Sequence, residues 1–139
     1  MQRKYLIASH GKLATGLQSS LDILADKGHV FQTIDAYVTD EDYTSQITTF
    51  IESVGEEEQG IIFTDLYGGS VNQKVVAETM HAKKENIFII SNTNLAVILT
   101  ILFSSEPYLT ADMIQNMIEE SQVVFVPTKV TEDEEDVFF

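Results

Sequence analysis

A histidine, an aspartate and a Gly-Gly-Ser turn are the residues of this chain best suited to chemistry. His10 lies in "LIASHGKLATG", between an apolar run and a helical pattern, and Asp65 ends the apolar run "GIIFTD". An aspartate that accepts a hydrogen bond from imidazole Nδ1–H fixes the tautomer and leaves the Nε2 lone pair free as a nucleophile. The pair therefore favours nucleophilic catalysis by His10.

The segment "YGGS" at residues 67–70 follows Asp65 directly and precedes another helical pattern. Two glycines let backbone N–H groups approach an anion closely, and Ser70 can both cap the helix and donate to a phosphate oxygen. Taken alone, the turn is more typical of an ordinary strand-to-helix connection. Beside His10 and Asp65 it indicates a phosphate-binding turn with Gly69 and Ser70 as contacts.

The other two histidines do not point to a site. His29 precedes the second predicted strand in a polar turn, and His81 lies in "MHAKKEN" at the end of the third helix, so both are expected to be structural or exposed. A metal hydrolase needs a third ligand, to which the sequence does not point. Neither G-x-G-x-x-G nor G-x-x-x-x-G-K-[ST] occurs. We expect no metal and no cofactor.

Length and composition predict one globular domain. The chain has 139 residues, of which 44% are hydrophobic, and no cysteine. We expect neither a disulfide framework nor a secretory segment before the first strand, and hence a cytoplasmic location. The longest apolar stretch, "LAVILTILF", is shorter than the roughly 20 residues needed to cross a bilayer. It favours a buried helix rather than membrane insertion.

The charge balance argues against nucleic acid as a partner. The formal net charge is -14, from 22 acidic and 8 basic residues. Affinity for nucleic acid depends on lysine and arginine side chains that displace counterions. Part of the charge lies in "EDEED" at 132–136, within a predicted solvated tail at 131–139. The acidity fits either solubility or the electrostatic steering of a basic protein partner.

Apolar runs and helical patterns alternate along the chain, which predicts a doubly wound α/β fold with helices on both faces of a mainly parallel sheet. The expected strands are 5–9, 30–38, 60–65, 86–91 and, as a fifth, "QVVFVP" at 122–127. A sheet of order 2-1-3-4 makes the ends of strands 1 and 3 neighbours, so that His10 and Asp65 can touch. Gly16, inside the first helix, is expected to accommodate close packing.

Two other classes of α/β protein fit less well. A response-regulator receiver also has an aspartate after strand 3, but it needs an acidic pair after strand 1, where this chain has "SHG". A flavodoxin-like protein would have a phosphate loop rich in serine and threonine there. A histidine with an orienting aspartate and a phosphate-binding turn instead fits a transient phosphohistidine.

The segments "ASHGKLATGLQSSLDIL" and "FTDLYGGS" together resemble the enzyme IIA component of the mannose-type phosphoenolpyruvate-dependent sugar phosphotransferase system, over residues 1–130. The resemblance implies that His10 accepts a phosphoryl group from phosphorylated HPr and passes it to a histidine of enzyme IIB. Asp65 would orient His10, and Ser70 would contact the phosphate. It further implies a homodimer that exchanges its C-terminal strand, here "QVVFVP", which would add antiparallel to the sheet.

The resemblance leaves several points open. The family often continues "GGS" with Pro-Phe-Asn, whereas this chain has Val71, Asn72 and Gln73, so that subfamily and partner fit are undetermined. The transported sugar cannot be inferred from this component. The phosphotransfer subunit of dihydroxyacetone kinase is similar in fold but usually has serine directly after its histidine. This chain has Gly11 at that position, which favours the sugar system. A noncatalytic regulatory module on the same fold is the alternative from another class.

Overall fold

The computed structural model describes residues 2–129 of the chain, as four strands alternating with five helices. The elements are β1 (Gln2–His10), α1 (Leu13–Ala25), β2 (Phe31–Ala36), α2 (Thr44–Ser53), β3 (Glu58–Thr64), α3 (Ser70–Ala82), β4 (Ile87–Ile90), α4 (Leu95–Leu102) and α5 (Ala111–Glu120). A short 3-10 turn, Gly28–Val30, precedes β2. The first four predicted strands, and the helices predicted to alternate with them, are confirmed. The acidic segment 132–136 lies outside the described residues.

The four strands form a parallel sheet of order β2-β1-β3-β4, which confirms the predicted order. In the register of the central strands, His10 pairs with Ala36 on β2 and Ala8 pairs with Thr64 on β3. The carboxyl ends of β1, β2 and β3 therefore meet at one edge of the sheet. Ligand sites of open α/β sheets form at this edge, where neighbouring strands connect to helices on opposite faces.

Both faces of the sheet are buried, which explains why the strands read as continuous apolar runs rather than alternating ones. Along β1, Tyr5 and Ile7 face one hydrophobic cluster, whereas Leu6 and Ala8 face the other. The first cluster takes its helical members from α1, α4 and α5 and the second from α2 and α3. The predicted coverage of both faces is thus confirmed.

The apolar stretch "LAVILTILF" forms α4, in which Val97, Ile98 and Ile101 are buried, as expected of a core helix. Among residues 2–129, no helix combines the length and the apolar character needed to span a membrane.

The predicted fifth strand at 122–127 does not join the sheet of residues 2–129. This segment has no strand pairing, and the side chains of residues 123–126 are 66–94% exposed. Its β-branched and aromatic residues favour an extended chain, but a strand also needs a neighbouring strand to pair with, and this segment has none within residues 2–129.

The expectation for Gly16 is also wrong. A Cβ atom at this position would meet no atom within 4 Å, so the glycine does not serve close packing.

Candidate active site

His10 and Asp65 are brought together at the carboxyl edge of the sheet. His10 is the last residue of β1, and Asp65 directly follows β3. The Asp65 Oδ2 atom lies 2.7 Å from His10 Nδ1 and accepts a second hydrogen bond, also of 2.7 Å, from the His10 backbone N–H. One carboxylate oxygen therefore fixes both the ring and the backbone of His10.

The environment of Asp65 keeps its carboxyl group ionised. Its side chain is only 9% exposed, and this burial acts to raise the pKa. The hydrogen bonds from the backbone and ring of His10, and a third from the Leu66 N–H, outweigh burial and lower the pKa of Asp65. An ionised carboxylate only accepts hydrogen bonds, so Nδ1 of His10 must carry the proton. In the neutral imidazole, Nε2 then has the free lone pair.

Ser70 lies on the Nε2 side of the ring. Its Oγ atom is 3.0 Å from His10 Nε2, so the predicted site residues His10, Asp65 and Ser70 do meet. The expectation that Ser70 caps α3 is wrong, because Gly69 occupies the N-cap position and Ser70 is the first helical residue. Since its hydroxyl is not used on its own helix, it is available to the histidine.

The Gly-Gly turn presents the amino end of α3 to His10. Gly68 adopts a left-handed φ of 79°, and a Cβ on Gly69 would lie 3.1 Å from the Leu66 carbonyl oxygen and 3.6 Å from His10 Cε1. The N–H groups of Gly68 and Gly69 already donate to Asn72 Oδ1 and to the Leu66 carbonyl. The amides of Ser70 and Val71 in the first turn of α3 have no acceptor within residues 2–129 and can meet an anion.

Asn72 holds this turn in place, a role that the sequence did not reveal. It is buried; its side-chain oxygen accepts from Gly68 N–H at 3.0 Å, and its amide donates to Thr64 Oγ1 at 3.2 Å and to Ser91 Oγ. Thr64 ends β3 and Ser91 directly follows β4, so the amide links the turn to two strand ends. A buried amide with both ends bonded rigidifies its surroundings, so the turn is fixed against the sheet.

Tyr37 is the second site residue that sequence reasoning missed. It follows β2, and its ring stacks on His10 with 5.3 Å between centroids and 27° between planes. Its hydroxyl lies 2.9 Å from Ser70 Oγ and 3.4 Å from the Tyr43 hydroxyl. Burial foremost raises the pKa of Tyr43, so its hydroxyl keeps its proton.

The remaining histidines lie away from this cluster. His29 is in the 3-10 turn before β2, at the opposite edge of the sheet, and His81 is in the last turn of α3; both are exposed. Among residues 2–129, no three histidine, aspartate or glutamate side chains come close enough together to hold a metal ion.

The site thus has a carboxylate on one side of an imidazole and hydroxyl and amide donors on the other. His10 is 41% exposed, so a reacting group on a second protein can reach Nε2. A nitrogen lone pair beside hydrogen-bond donors for oxygen is suited to take up an electrophile that carries negatively charged oxygens, such as a phosphoryl group.

Comparisons with known proteins agree with this chemistry. The family model of the phosphotransferase system (PTS) fructose IIA component matches residues 4–118. A structure from Klebsiella pneumoniae, described as a phosphoenolpyruvate-dependent sugar phosphotransferase system permease, is 29% identical with a TM-score of 0.75, over 88% of this chain and 91% of that one.

Two more distant structures share the fold. A phosphotransferase system enzyme IIA component from Streptococcus agalactiae is 20% identical, with a TM-score of 0.72 over 86% of this chain and 92% of that one. A mannose/sorbose-specific IIA subunit from Enterococcus faecalis is 16% identical, with a TM-score of 0.69 over 94% of this chain and all of that one. No curated protein sequence matches significantly. Since the family model covers most of its length, this chain belongs to the mannose-type family of phosphotransferase system enzyme IIA components.

Proposed function

We propose that this protein is a phosphohistidine carrier that accepts a phosphoryl group from phosphorylated HPr on His10 and transfers it to a histidine of enzyme IIB. The observation that carries the proposal is the 2.7 Å contact of Asp65 with His10 Nδ1, because it leaves Nε2 as the nucleophile. In the first step the Nε2 lone pair forms a bond to phosphorus while the bond from phosphorus to the HPr histidine breaks. In the second step a histidine of enzyme IIB displaces Nε2 in the same way.

Asp65 and the amino end of α3 have separate tasks in these steps. As Nε2 bonds to phosphorus, positive charge develops on the imidazole, and the ionised carboxylate beside Nδ1 stabilises it. The Ser70 hydroxyl and the first-turn amides donate to the phosphoryl oxygens, where the helix dipole favours negative charge. Because Gly69 has no side chain, the space beside His10 Cε1 stays open for the phosphoryl oxygens.

The same family membership supports HPr and enzyme IIB as partners and the cytoplasm as location. It also supports a homodimer in which 122–127 adds as an antiparallel strand to the sheet of the other subunit. Two features favour this exchange: the side chains of residues 123–126 are exposed, and β4 ends the sheet within the described residues. An added strand would cover that open edge.

The proposal is tested by measuring phosphate on the protein. The protein is incubated with phosphoenolpyruvate, enzyme I and HPr, and its intact mass is read under alkaline conditions that preserve phosphohistidine. We expect one added phosphate on the parent, none on His10→Ala, and one on the matched control His81→Ala, whose histidine is exposed on α3.

A chase with enzyme IIB completes the test. Loss of the phosphate to IIB is expected of a carrier in a sugar system. Phosphate that stays on His10 would contradict transfer and favour a regulatory module, whereas an unmodified, folded parent would refute the carrier function altogether.

A further inference from the structure

The position of Tyr37 ties the loop after β2 to the reacting histidine. Its neighbour Ala36 pairs with His10 in the sheet, and the Ala36 carbonyl accepts a 2.8 Å hydrogen bond from Gly11 N–H. Tyr37 itself has a φ of 67°, in the left-handed region that bulky residues rarely adopt. Strained backbone conformations of this kind cluster at functional sites, so the φ of Tyr37 indicates a functional role for this residue.

The direction of the hydrogen bonds follows from the tautomer of His10. Because Nδ1–H donates to the Asp65 carboxylate, Nε2 of the neutral ring has no proton and is an acceptor, so the Ser70 hydroxyl must donate to it. Ser70 then has no further proton, so across the 2.9 Å contact the Tyr37 hydroxyl is the donor and Ser70 Oγ the acceptor. Since Tyr37 donates to Ser70, the Ser70 hydroxyl can donate only to His10 Nε2.

Tyr43 supports Tyr37 from behind. Its buried ring meets the Tyr37 ring edge-on at 5.7 Å, and Lys74 Nζ lies 4.7 Å from the Tyr43 ring centroid. The 3.4 Å contact between the two hydroxyls lets Tyr43 donate to Tyr37 oxygen. Tyr37 is thus supported by packing and by a hydrogen bond, although 59% of its surface is exposed.

We propose that Tyr37 is a positioning residue for phosphoryl transfer at His10, holding the imidazole plane by stacking and the Ser70 hydroxyl at Nε2 by a hydrogen bond. This inference rests on the proposed carrier function. When a phosphoryl group approaches Nε2 in line, the Ser70 proton turns from the lone pair to a phosphoryl oxygen. Tyr37 keeps Ser70 Oγ in place while the Ser70 proton reorients. Its hydrogen bond also polarises the Ser70 O–H bond, which makes the Ser70 hydroxyl a stronger donor. Tyr37 itself gains and loses no bond to phosphorus.

The kinetic test compares Tyr37→Phe, which keeps the ring but removes the hydroxyl, with Tyr37→Leu, which removes both. The matched control is Tyr108→Phe, since Tyr108 lies among residues at the amino ends of the strands, opposite the site. From the loss of one ordinary hydrogen bond, we expect Tyr37→Phe to lower kcat for transfer to IIB about five- to tenfold with KM unchanged, and Tyr37→Leu to lower it further. Tyr108→Phe should match the parent.

A spectroscopic test requires no partner protein. In the unphosphorylated protein with ¹⁵N-labelled histidine, the Nε2 resonance of His10 reports whether a donor occupies its lone pair. We expect Tyr37→Phe to move this resonance toward that of a free imidazole nitrogen, while Tyr108→Phe leaves it unchanged. Because it does not depend on phosphorylation, the result separates failure of this inference from failure of the carrier function.

A double-mutant cycle tests whether Tyr37 acts through Ser70. In a Ser70→Ala background, Tyr37→Phe should have no additional effect on kcat. A full additional loss there would show action on the partner or phosphate instead and would overturn the proposal. The proposal would also be overturned if Tyr37→Phe had the same kcat, or the same His10 Nε2 resonance, as the Tyr108→Phe control. A parent that takes up no phosphate would instead refute the carrier function.

Discussion

Replacement of Asp65 is the sharpest test of the proposal that its carboxylate makes His10 a nucleophile. Asp65 Oδ2 accepts two hydrogen bonds from His10, each of 2.7 Å, and Oδ1 accepts one from Leu66 N–H at 2.9 Å. Asp65→Ala removes both acceptor atoms and, with them, all three hydrogen bonds. In Asp65→Asn, an amide oriented to accept from Leu66 N–H turns its NH₂ toward Nδ1, which favours the tautomer with a proton on Nε2.

The expected loss of rate follows from these bonds. A hydrogen bond to a charged group contributes about 1.5 kcal/mol at the lower end of the usual range. The two bonds that orient His10 then amount to about 3 kcal/mol, and since about 1.4 kcal/mol is a tenfold change in rate, phosphorylation by phospho-HPr should slow about a hundredfold. Asp65→Asn should be at least as slow as Asp65→Ala, since it also occupies the nucleophilic lone pair with a proton.

The rate is measured by alkaline quenching and intact mass at several times after addition of phospho-HPr. Asp112→Asn is the matched control, because Asp112 is exposed in the first turn of α5 and contacts no site residue. Circular dichroism establishes that each variant is folded. Folded Asp65 variants that are phosphorylated within twofold of the parent rate would refute the role assigned to the carboxylate.

Two further predictions concern stability. Because hydrogen bonds outweigh burial and lower the pKa of Asp65 below 3.8 in the fold, its contribution is complete above that pH and lost as pH falls through the folded value. Urea unfolding should therefore show a stability difference between parent and Asp65→Asn that is constant from about pH 6 to about pH 5 and shrinks as the pH falls further to about pH 3; an unchanged difference would contradict this. Gly69→Ala, whose Cβ would crowd Leu66, should destabilise the fold by about 1 kcal/mol and slow phosphorylation. Gly16→Ala, with open space, should stabilise α1 by about 0.5–1 kcal/mol at the parent rate; equal effects of both alanines would exclude crowding.

The contact between His10 and Asp65 could be predicted because two simple patterns fix it. Strands buried on both faces are continuous apolar runs, so "YLIAS" and "GIIFTD" locate the ends of β1 and β3 to within a residue or two. Strand and helix alternation then makes the sheet parallel, which places both ends at one edge. Ser70 is predicted both as a phosphate contact beside His10 and as a helix cap, and only the cap is wrong, because the first helical residue and the N-cap differ by a single position.

Other features depend on contacts that no local pattern encodes. Nothing in "AYVTD" indicates that Tyr37 adopts a left-handed φ. The stacking of its ring on His10 depends on that backbone conformation and therefore could not be predicted. Asn72 bonds groups from two strand ends, a network visible only after the fold is known. The segment 122–127 has strand-forming residues, but local composition does not decide pairing, and the segment pairs with no strand within residues 2–129.

The hydrogen-bond donors around Nε2 are uncharged, which suits the proposed transient binding of a phosphoryl group. Within residues 2–129, no lysine or arginine hydrogen-bonds to His10, Asp65 or Ser70, and Lys74, the cation nearest Tyr43, pairs with Asp42 instead. A guanidinium clamp would hold a phosphoryl group by strong bidentate bonds and deepen the intermediate. Hydroxyl and amide donors bind its oxygens more weakly, while Asp65 stabilises the charge on the imidazole. In the proposed carrier, such a site would lower the barrier for transfer in both directions without trapping the phosphoryl group between them.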